Sequence, residues 1–580
     1  MIYTKDHKTF DMFDPFPEFG SKRKQLLKKS WAELFRDEIL PELPVHLLTK
    51  HFNEESGRPT KELYAMLGFM VLQQMFDLTD EEAVNQFAFN RQWHYALNIT
   101  GHSDEETYVC PKTLWNIRHI LTEHGLYAPL FEAITVRLAK VFDVDPRLQR
   151  LDSVHIFSNM AHLGRIGLFV QTIKKFLVNL KRHHRDLVTA LDQELIDRYM
   201  PQKGQSVFAM VKPSEVARTL DKVGQDLFAL VTRFRGSNAI TAMASYQLLV
   251  RLFEEQYAVE KNVETNQETI TVKLSKDVPS NSLQNPSDPD AGYDGHKGRG
   301  YQIQVAETCS YESENKPLSL ITHVTVEAAH ENDANALLPA IKSTRELGLA
   351  PKELLADTLY GGDDNLKKAQ QEGVELIAPA CNGTPAKGVA LADFTFSERG
   401  GKVLSCPMSH VPSRTKHKKE RHSATFEAES CKGCPLLDDC QVKPGKRGYY
   451  LRYTDKEARL AKRRAHEKTT VFRNRYRLRA GVEATMSEYD RRTGVKHLRV
   501  RGLKAVSFAA NIKAAGLNIL RAAAFRSRRQ PEKTGPIADL RATWNRKISI
   551  KGQFDAFVKI WNYPFGINNS IDNDWMLLAV

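Results

Sequence analysis

Tyr476, Arg479 and Glu483 stand at i, i+3 and i+7 in the most basic part of the chain. In a helix that spacing stacks a phenol, a guanidinium and a carboxylate on one face. A carboxylate can hold a divalent cation, an arginine can grip a phosphate, and a tyrosine can stack or donate a hydrogen bond. The same spacing also describes an ordinary Arg–Glu pair on a solvated face, so the trio alone decides nothing. Metal-assisted phosphoryl transfer needs several carboxylates converging on two divalent ions about 4 Å apart. Asp152, in the middle of a predicted strand, and Asp357, at the end of another, are candidates for the remaining acids. Asp288, Asp290 and Asp294 are rivals, ranked behind Asp152 because a loop positions a metal less tightly than a strand. Lys297 and Arg299 lie in the same Gly-rich loop, where flanking glycines permit close approach to a phosphate; a mobile turn with solvated charges is the competing reading.

The second constellation is sulfur. Of seven cysteines, Cys406, Cys431, Cys434 and Cys440 fall close together, with Cys431-Lys-Gly-Cys434 as the tight pair. Such a knuckle presents two thiolates to one tetrahedral Zn²⁺ at about 2.3 Å, and two more close a structural site. The segment is polar and Lys-rich, with too few apolar residues for its own core, so metal would supply folding energy. The spacing is asymmetric, which leaves His410, His417 or His422 as substitutes for one ligand. Reduced thiols in a flexible loop and a redox pair are the alternatives.

Charge distribution narrows the partner. Residues 411–550 carry 35 Lys+Arg against 13 Asp+Glu, although the whole chain is only +13. A basic C-terminal third on a mildly acidic body points to a polyanion, with nucleic acid the commonest. The N-terminus is polar rather than a signal sequence, and the apolar run over 505–524 is interrupted by Asn511, Lys513, Asn518 and Arg521. A packed helix is expected there, in a cytoplasmic, nucleoid-associated protein with no membrane partner.

At 580 residues, several domains must position these groups. After an extended arm over 1–20, the pattern to residue 124 is helical. Thr60 is expected to cap a helix to residue 76, Thr79-Asp-Glu-Glu82 to form a capping box, and Pro111 to open a third helix. These helices suit either a helix-turn-helix that docks on DNA or a dimerisation bundle. A strand is predicted over 147–156. Long helices follow over 171–180, 186–199 and 214–234, then a loop to 289. Next come strands at 301–305 and 318–326, a helix over 333–347, a strand over 353–357, a further helix, and a strand over 374–379. This order indicates a mixed α/β sheet interrupted by a helical insertion.

Leu151-Asp-Ser-Val-His, Asp288-Pro-Asp-Ala-Gly-Tyr-Asp-Gly-His-Lys-Gly-Arg-Gly-Tyr301, Ala356-Asp-Thr-Leu-Tyr-Gly and Tyr476-x-x-Arg-x-x-x-Glu483 together resemble bacterial insertion-sequence transposases of the DDE class. The resemblance implies an α/β, ribonuclease-H-like mixed-sheet catalytic core over 146–162 and 285–385. Around it would lie an N-terminal all-helical domain (1–145), a helical insertion (163–284) and a small zinc-knuckle-like insertion (386–455). Catalytic helices (456–530) and a tail (531–580) complete the chain. It further implies Asp152, Asp357 and Glu483 as ligands of Mg²⁺ (or Mn²⁺), with Tyr476, Arg479, Lys297, Arg299 and Arg491 on double-stranded DNA. The expected activity is cleavage at terminal inverted repeats and joining of 3′-hydroxyl ends to target DNA, by a homodimer or larger assembly. The family's lysine seven residues beyond the glutamate is Asp490 here, which passes that contact to Arg491. A catalytically inactive DNA-binding descendant is the alternative; a zinc-stabilised RNA-binding or scaffold protein would leave the acids unused.

Overall fold

The computed structural model describes residues 1–529 apart from residues 10–13, 161, 202–207, 209–210, 262–267, 313, 315, 382–387 and 399. The expected tail over 531–580 therefore lies outside the described residues. Residues Met1–Ala524 form one compact unit; of the second, Phe525–Val580, only 525–529 are described.

The N-terminal part is helical, as its patterning predicts. Helix α1 (Leu63–Met75) is buried along nearly its whole length. Its cap differs from the expectation: Glu62 accepts from the Tyr64 and Ala65 amides at 3.2 and 2.6 Å, while the Thr60 hydroxyl accepts from Tyr3. A carboxylate at a helix start also complements the dipole, and Thr60 is held by the N-terminal arm instead. Helix α2 (Asp80–Phe89) begins with the Thr79/Glu82 capping box, and α3 (Pro111–Glu123) has proline in its first turn. Arg118 on α3 bonds Asp80 and Gln73, tying the three helices together. Helix α4 (Tyr127–Val141) leads into the sheet.

Strand β1 (Leu148–Phe157) is the sheet's centre. It runs antiparallel to β2 (Gly298–Thr308), which runs antiparallel to β3 (Ile321–Ala328). On its other side β1 is parallel to β4 (Glu353–Ala356), and β4 is parallel to β5 (Glu375–Ile377). The order is therefore β3-β2-β1-β4-β5, with the short strand Gly292–Asp294 also paired to β2. Helix α8 (Leu337–Glu346) and helix α9 (Asp363–Gln371) make the crossovers that parallel pairing requires. Leu151, Ala306, Leu337, Ile341, Leu354, Ala356 and Tyr360 fill the core between them.

Between β1 and β2 stands the helical insertion, with its own core of Phe169, Phe176, Leu227, Tyr246 and Leu252. Its main helices are α5 (Arg165–His183), α6 (Val216–Phe234) and α7 (Ala244–Gln256). The single helix expected over 186–199 is two short ones, Arg185–Thr189 and Gln193–Tyr199, because Asp192 caps a new start. The expected loop to 289 contains a hairpin, Tyr257–Lys261 against Glu268–Val272.

The Cys-rich segment is a four-stranded antiparallel sheet of β6 (Arg414–Lys418), β7 (Arg421–Phe426), β8 (Lys443–Gly445) and β9 (Gly448–Thr454), in order β6-β7-β9-β8. It does have an apolar core, contrary to the expectation from composition: Phe394, Val403, Ala424, Phe426, Leu451 and Tyr453 are all buried. Period-two alternation concentrates those few residues on one face, which bulk composition conceals.

Helices α10 (Asp455–Glu467), α11 (Thr470–Tyr476), α12 (Gly481–Thr493) and α13 (Leu503–Arg529) close the described chain. Within the first unit α13 is buried from Val506 to Ala523 except at the half-buried Leu520 and Arg521, and Asn518 bonds both the amide and carbonyl of Ile321 on β3. No helix among the described residues is long and apolar enough to cross a membrane.

Candidate active site

Parallel register between β1 and β4 creates the site. Leu151 pairs with Ala356, so the residues that follow, Asp152 and Asp357, emerge side by side. Asp357 also accepts from the Thr358 amide at 2.6 Å and so caps the turn Thr358–Tyr360.

The third acid arrives differently from the single helix expected. Tyr476 ends α11, residues Arg477–Ala480 form a 3₁₀ turn, and Glu483 lies in the first turn of α12. Even so, the acids meet at one group. The Arg479 guanidinium lies 2.8 Å from Asp152, 3.6 Å from Asp357 and 3.5 Å from Glu483. The side chains are graded in exposure, 16% for Asp152, 42% for Asp357 and 74% for Glu483, so the cluster opens toward solvent on the Glu483 side.

The 3₁₀ turn is pinned to the sheet by Arg150. Its guanidinium donates to the Leu478 carbonyl at 2.9 Å and to Glu307 at 2.6 Å. Glu307, fully buried on β2, also accepts from Thr485 at 2.6 Å and from Arg521 at 3.0 Å. One carboxylate thus joins β1, β2, α12 and α13 beneath the site. A Cβ at Gly481 would lie 2.0 Å from Arg150 Nη1, so a side chain there would push the guanidinium off the Leu478 carbonyl. Arg475 anchors α11 to the ends of β4 and β5 through Glu353 and Glu375 at 3.0 and 2.8 Å. Sequence reading did not find Arg150, Glu307 or Arg475, whose spacing along the chain carries no signal.

Burial raises the Asp152 carboxyl above the ordinary 3.8, against the pull of Arg479 and with the added repulsion of Asp357. Arg479 is itself shifted upward: burial opposes its charge, but Asp152 and Asp357 outweigh that. Tyr476 is half-buried, stacked on Phe472 at 5.5 Å, and burial holds its phenol above the usual range. Three carboxylates against one guanidinium leave an excess of negative charge. This all-oxygen donor set suits a hard divalent cation of the Mg²⁺ or Mn²⁺ kind.

The other expected contacts are spread around this centre. Lys297 is exposed and reaches Ser153 Oγ at 3.4 Å, next to Asp152. Arg299 is half-buried and donates to Gln284 and the Leu163 carbonyl at 3.1 and 3.3 Å, which it must leave to meet a phosphate. Arg491 is exposed on α12. Asp490 accepts from the Lys496 amide at 3.1 Å and so serves the helix end. The rival acids are occupied: Asp288 accepts from Ser158, Tyr301 and the Gly502 amide, Asp290 from the Leu503 amide, and Asp294 from the amides of its own turn.

Cys406, Cys431, Cys434 and Cys440 line one small cavity with His410. Burial pushes the Cys431 thiol up, and its three sulfur neighbours add to that. His417 and His422 lie elsewhere: their rings stack at 4.1 Å and both face Asp455, which accepts from His422 at 2.5 Å. Among the described residues, only His417, His422 and Asp455 already bring three ligand atoms within 4.8 Å of one another. Neither the three acids nor the four thiols are drawn in that tightly.

Two family models match the chain. One, described as "Transposase DDE domain", covers residues 404–523, and so includes Tyr476, Arg479, Glu483 and the four clustered cysteines. The other, described as "Transposase domain (DUF772)", covers residues 26–119 in the N-terminal helices. No curated protein and no solved structure matches significantly.

Proposed function

We propose that the chain is an insertion-sequence transposase of the DDE class, as the two matching transposase-domain models support, and that Asp152, Asp357 and Glu483 are its catalytic, metal-holding triad. The observation that carries this reading is the convergence of all three carboxylates on the Arg479 guanidinium, from positions spread between residues 152 and 483. The sheet order β3-β2-β1-β4-β5 is the one expected of a ribonuclease-H-like core, with Asp152 on β1 and Asp357 just past the end of the adjacent β4.

When bound, a pair of Mg²⁺ or Mn²⁺ ions activates the attacking oxygen and stabilises the leaving one. The chain's own groups do the rest. Asp152 and Asp357 form the rigid part of the site, and Glu483 closes it from α12. Arg479 neutralises the acids in the free protein and, once released from them, takes a phosphate of the DNA end. Lys297 and Arg491 add backbone contacts, Arg299 does so if it leaves Gln284, and Tyr476 stacks on the end. Water attacks at the terminal inverted repeat, and the freed 3′-hydroxyl attacks target DNA in line. No covalent protein–DNA bond is required. Two ends must be held together for joining, which a homodimer or larger assembly on DNA provides. We further assign the four-cysteine cavity to structural Zn²⁺, with His410 as the alternative ligand that lines it.

The test is incubation of the protein with Mg²⁺ and a duplex carrying the element's flanking repeat. Nicking at the repeat end, lost in Asp357→Ala and Glu483→Ala, is expected. Specific binding without nicking would identify an inactive DNA-binding descendant, and indifference to the repeat would overturn the reading. For zinc, elemental analysis should find about one equivalent, lost together with folding in Cys431→Ser or Cys434→Ser. A metal-free, fully active preparation would remove that assignment.

A further inference from the structure

The four-stranded sheet of the Cys-rich segment has two different faces. Ala424, Phe426, Leu451 and Tyr453 face its core. The alternate residues form the other face, and register arranges them in rows across the strands. Arg414 pairs with Thr425, Thr425 with Tyr450, and Tyr450 with Lys443. In the adjacent row Lys416 pairs with Ser423, and Ser423 with Arg452. Lys446 and Arg447, at the β8–β9 turn, complete a groove of about 950 Å³ whose lining contains no acid. All six cations are exposed, and none of them makes an ion pair among the described residues.

We propose that this face is a seat for the sugar–phosphate backbone of duplex DNA, separate from the cleavage centre. Positive charges in rows, with hydroxyls between them, are the groups that contact phosphates without reading bases. Same-face neighbours lie about 7 Å apart along a strand, and adjacent strands lie about 5 Å apart, so the sheet presents an area rather than a point. Uncompensated cations gathered on one surface raise the local potential, and solvated surface charge alone does not require that acids be excluded from it. Single-stranded nucleic acid is disfavoured because its sites stack bases on exposed rings. Here the one aromatic in the groove, Tyr450, is half-buried, with Arg452 5.7 Å from its ring.

The face is fixed to the catalytic sheet rather than tethered loosely. Helix α10 follows β9 directly, and Arg463 on it donates to the carbonyls of Gly361 and Ala378 at 2.7 and 3.0 Å. Arg459 adds a pair with Asp363 at 2.7 Å. DNA seated on the basic face is thereby held in fixed relation to β4 and β5. The choice of duplex DNA rests on the transposase reading; the existence of a phosphate-binding face rests on the sheet alone.

The full chain carrying Arg414→Gln, Lys416→Gln and Arg452→Gln tests this, with a mixed-sequence duplex lacking the repeat as the probe. Removing three phosphate contacts should weaken binding at least about tenfold at moderate salt and make the log–log salt slope shallower by roughly 2–3. Thermal melting should be unchanged. Unaltered affinity and slope in the triple variant would overturn the proposal, as would a loss seen with single-stranded RNA but not with duplex. If the unaltered chain fails to bind duplex DNA at all, the transposase reading falls too. Duplex binding that depends on the face, without nicking at repeats, would leave the seat standing and the triad refuted.

Discussion

At the scale of residues, the site is a balance between three acids and one arginine. Asp152 is the most buried acid, and its proton affinity is raised by burial and by Asp357. The folded protein therefore binds that proton more tightly than the unfolded chain does. Stability from this group is lost as pH rises from 3.8 through the folded value. Replacing Asp357 with Asn removes a like charge and leaves Arg479 in place, so the Asp152 titration should move down. Carbon-13 carboxyl titration reads the shift; an unmoved midpoint would mean the two acids do not share a field. Arg479→Ala should weaken binding of the repeat end and make its salt slope shallower by about 0.9, one phosphate's share. An unchanged slope would confine Arg479 to holding the acids.

At the scale of elements, the buried Glu307 cluster holds Glu483 over the sheet. Glu307→Ala leaves Arg150 and Arg521 without that carboxylate in the interior. A loss of about 3–5 kcal/mol in urea unfolding is expected, the usual cost of breaking a buried pair from one side. A loss under about 1 kcal/mol would show that solvent or Glu488 satisfies the arginines. Much of the element order is written in the chain. The alternating strand at 301–305, the short buried strand ending near Asp357, the Thr79 capping box and the long helical insertion all follow local patterns, and the structure has them. Local pattern fails where distant contacts decide. Nothing near Tyr476 announces the 3₁₀ break, because Arg150 on another strand pulls the Leu478 carbonyl toward the sheet. Thr60 looks like a cap until the N-terminal arm takes its hydroxyl. In the Cys-rich segment the alternation of Arg414, Lys416 and Lys418 was readable, but a count of apolar residues obscures it.

At the scale of the whole first unit, the N-terminal helices are locked to the C-terminal ones through Asp77. It pairs with Arg499 at 3.1 Å and with Lys513, nearly buried on α13, at 2.7 Å. Burial holds Lys513 below the usual 10.5, and Asp77 partly offsets that. The unfolded chain binds the lysine proton more tightly, so stability from this group rises with pH toward 10.5. Asp77→Asn should depress the lysine further and extend that rise to lower pH, as urea midpoints across the alkaline range would record. A flat profile would show that Arg499 and the Thr493 carbonyl suffice. The proposed triad could be named from the sequence only by resemblance, since Asp152 and Asp357 become neighbours through strand register, which no local window contains.

The central claim is that Asp152, Asp357 and Glu483 share one metal centre. Its most direct measurement is anomalous diffraction from crystals of the protein with Mn²⁺ and a repeat-end duplex. Manganese is expected within ligand distance of all three carboxylates, with Arg479 withdrawn onto a DNA phosphate. Manganese bound elsewhere, with Arg479 still paired to the acids while the DNA is in place, would contradict it.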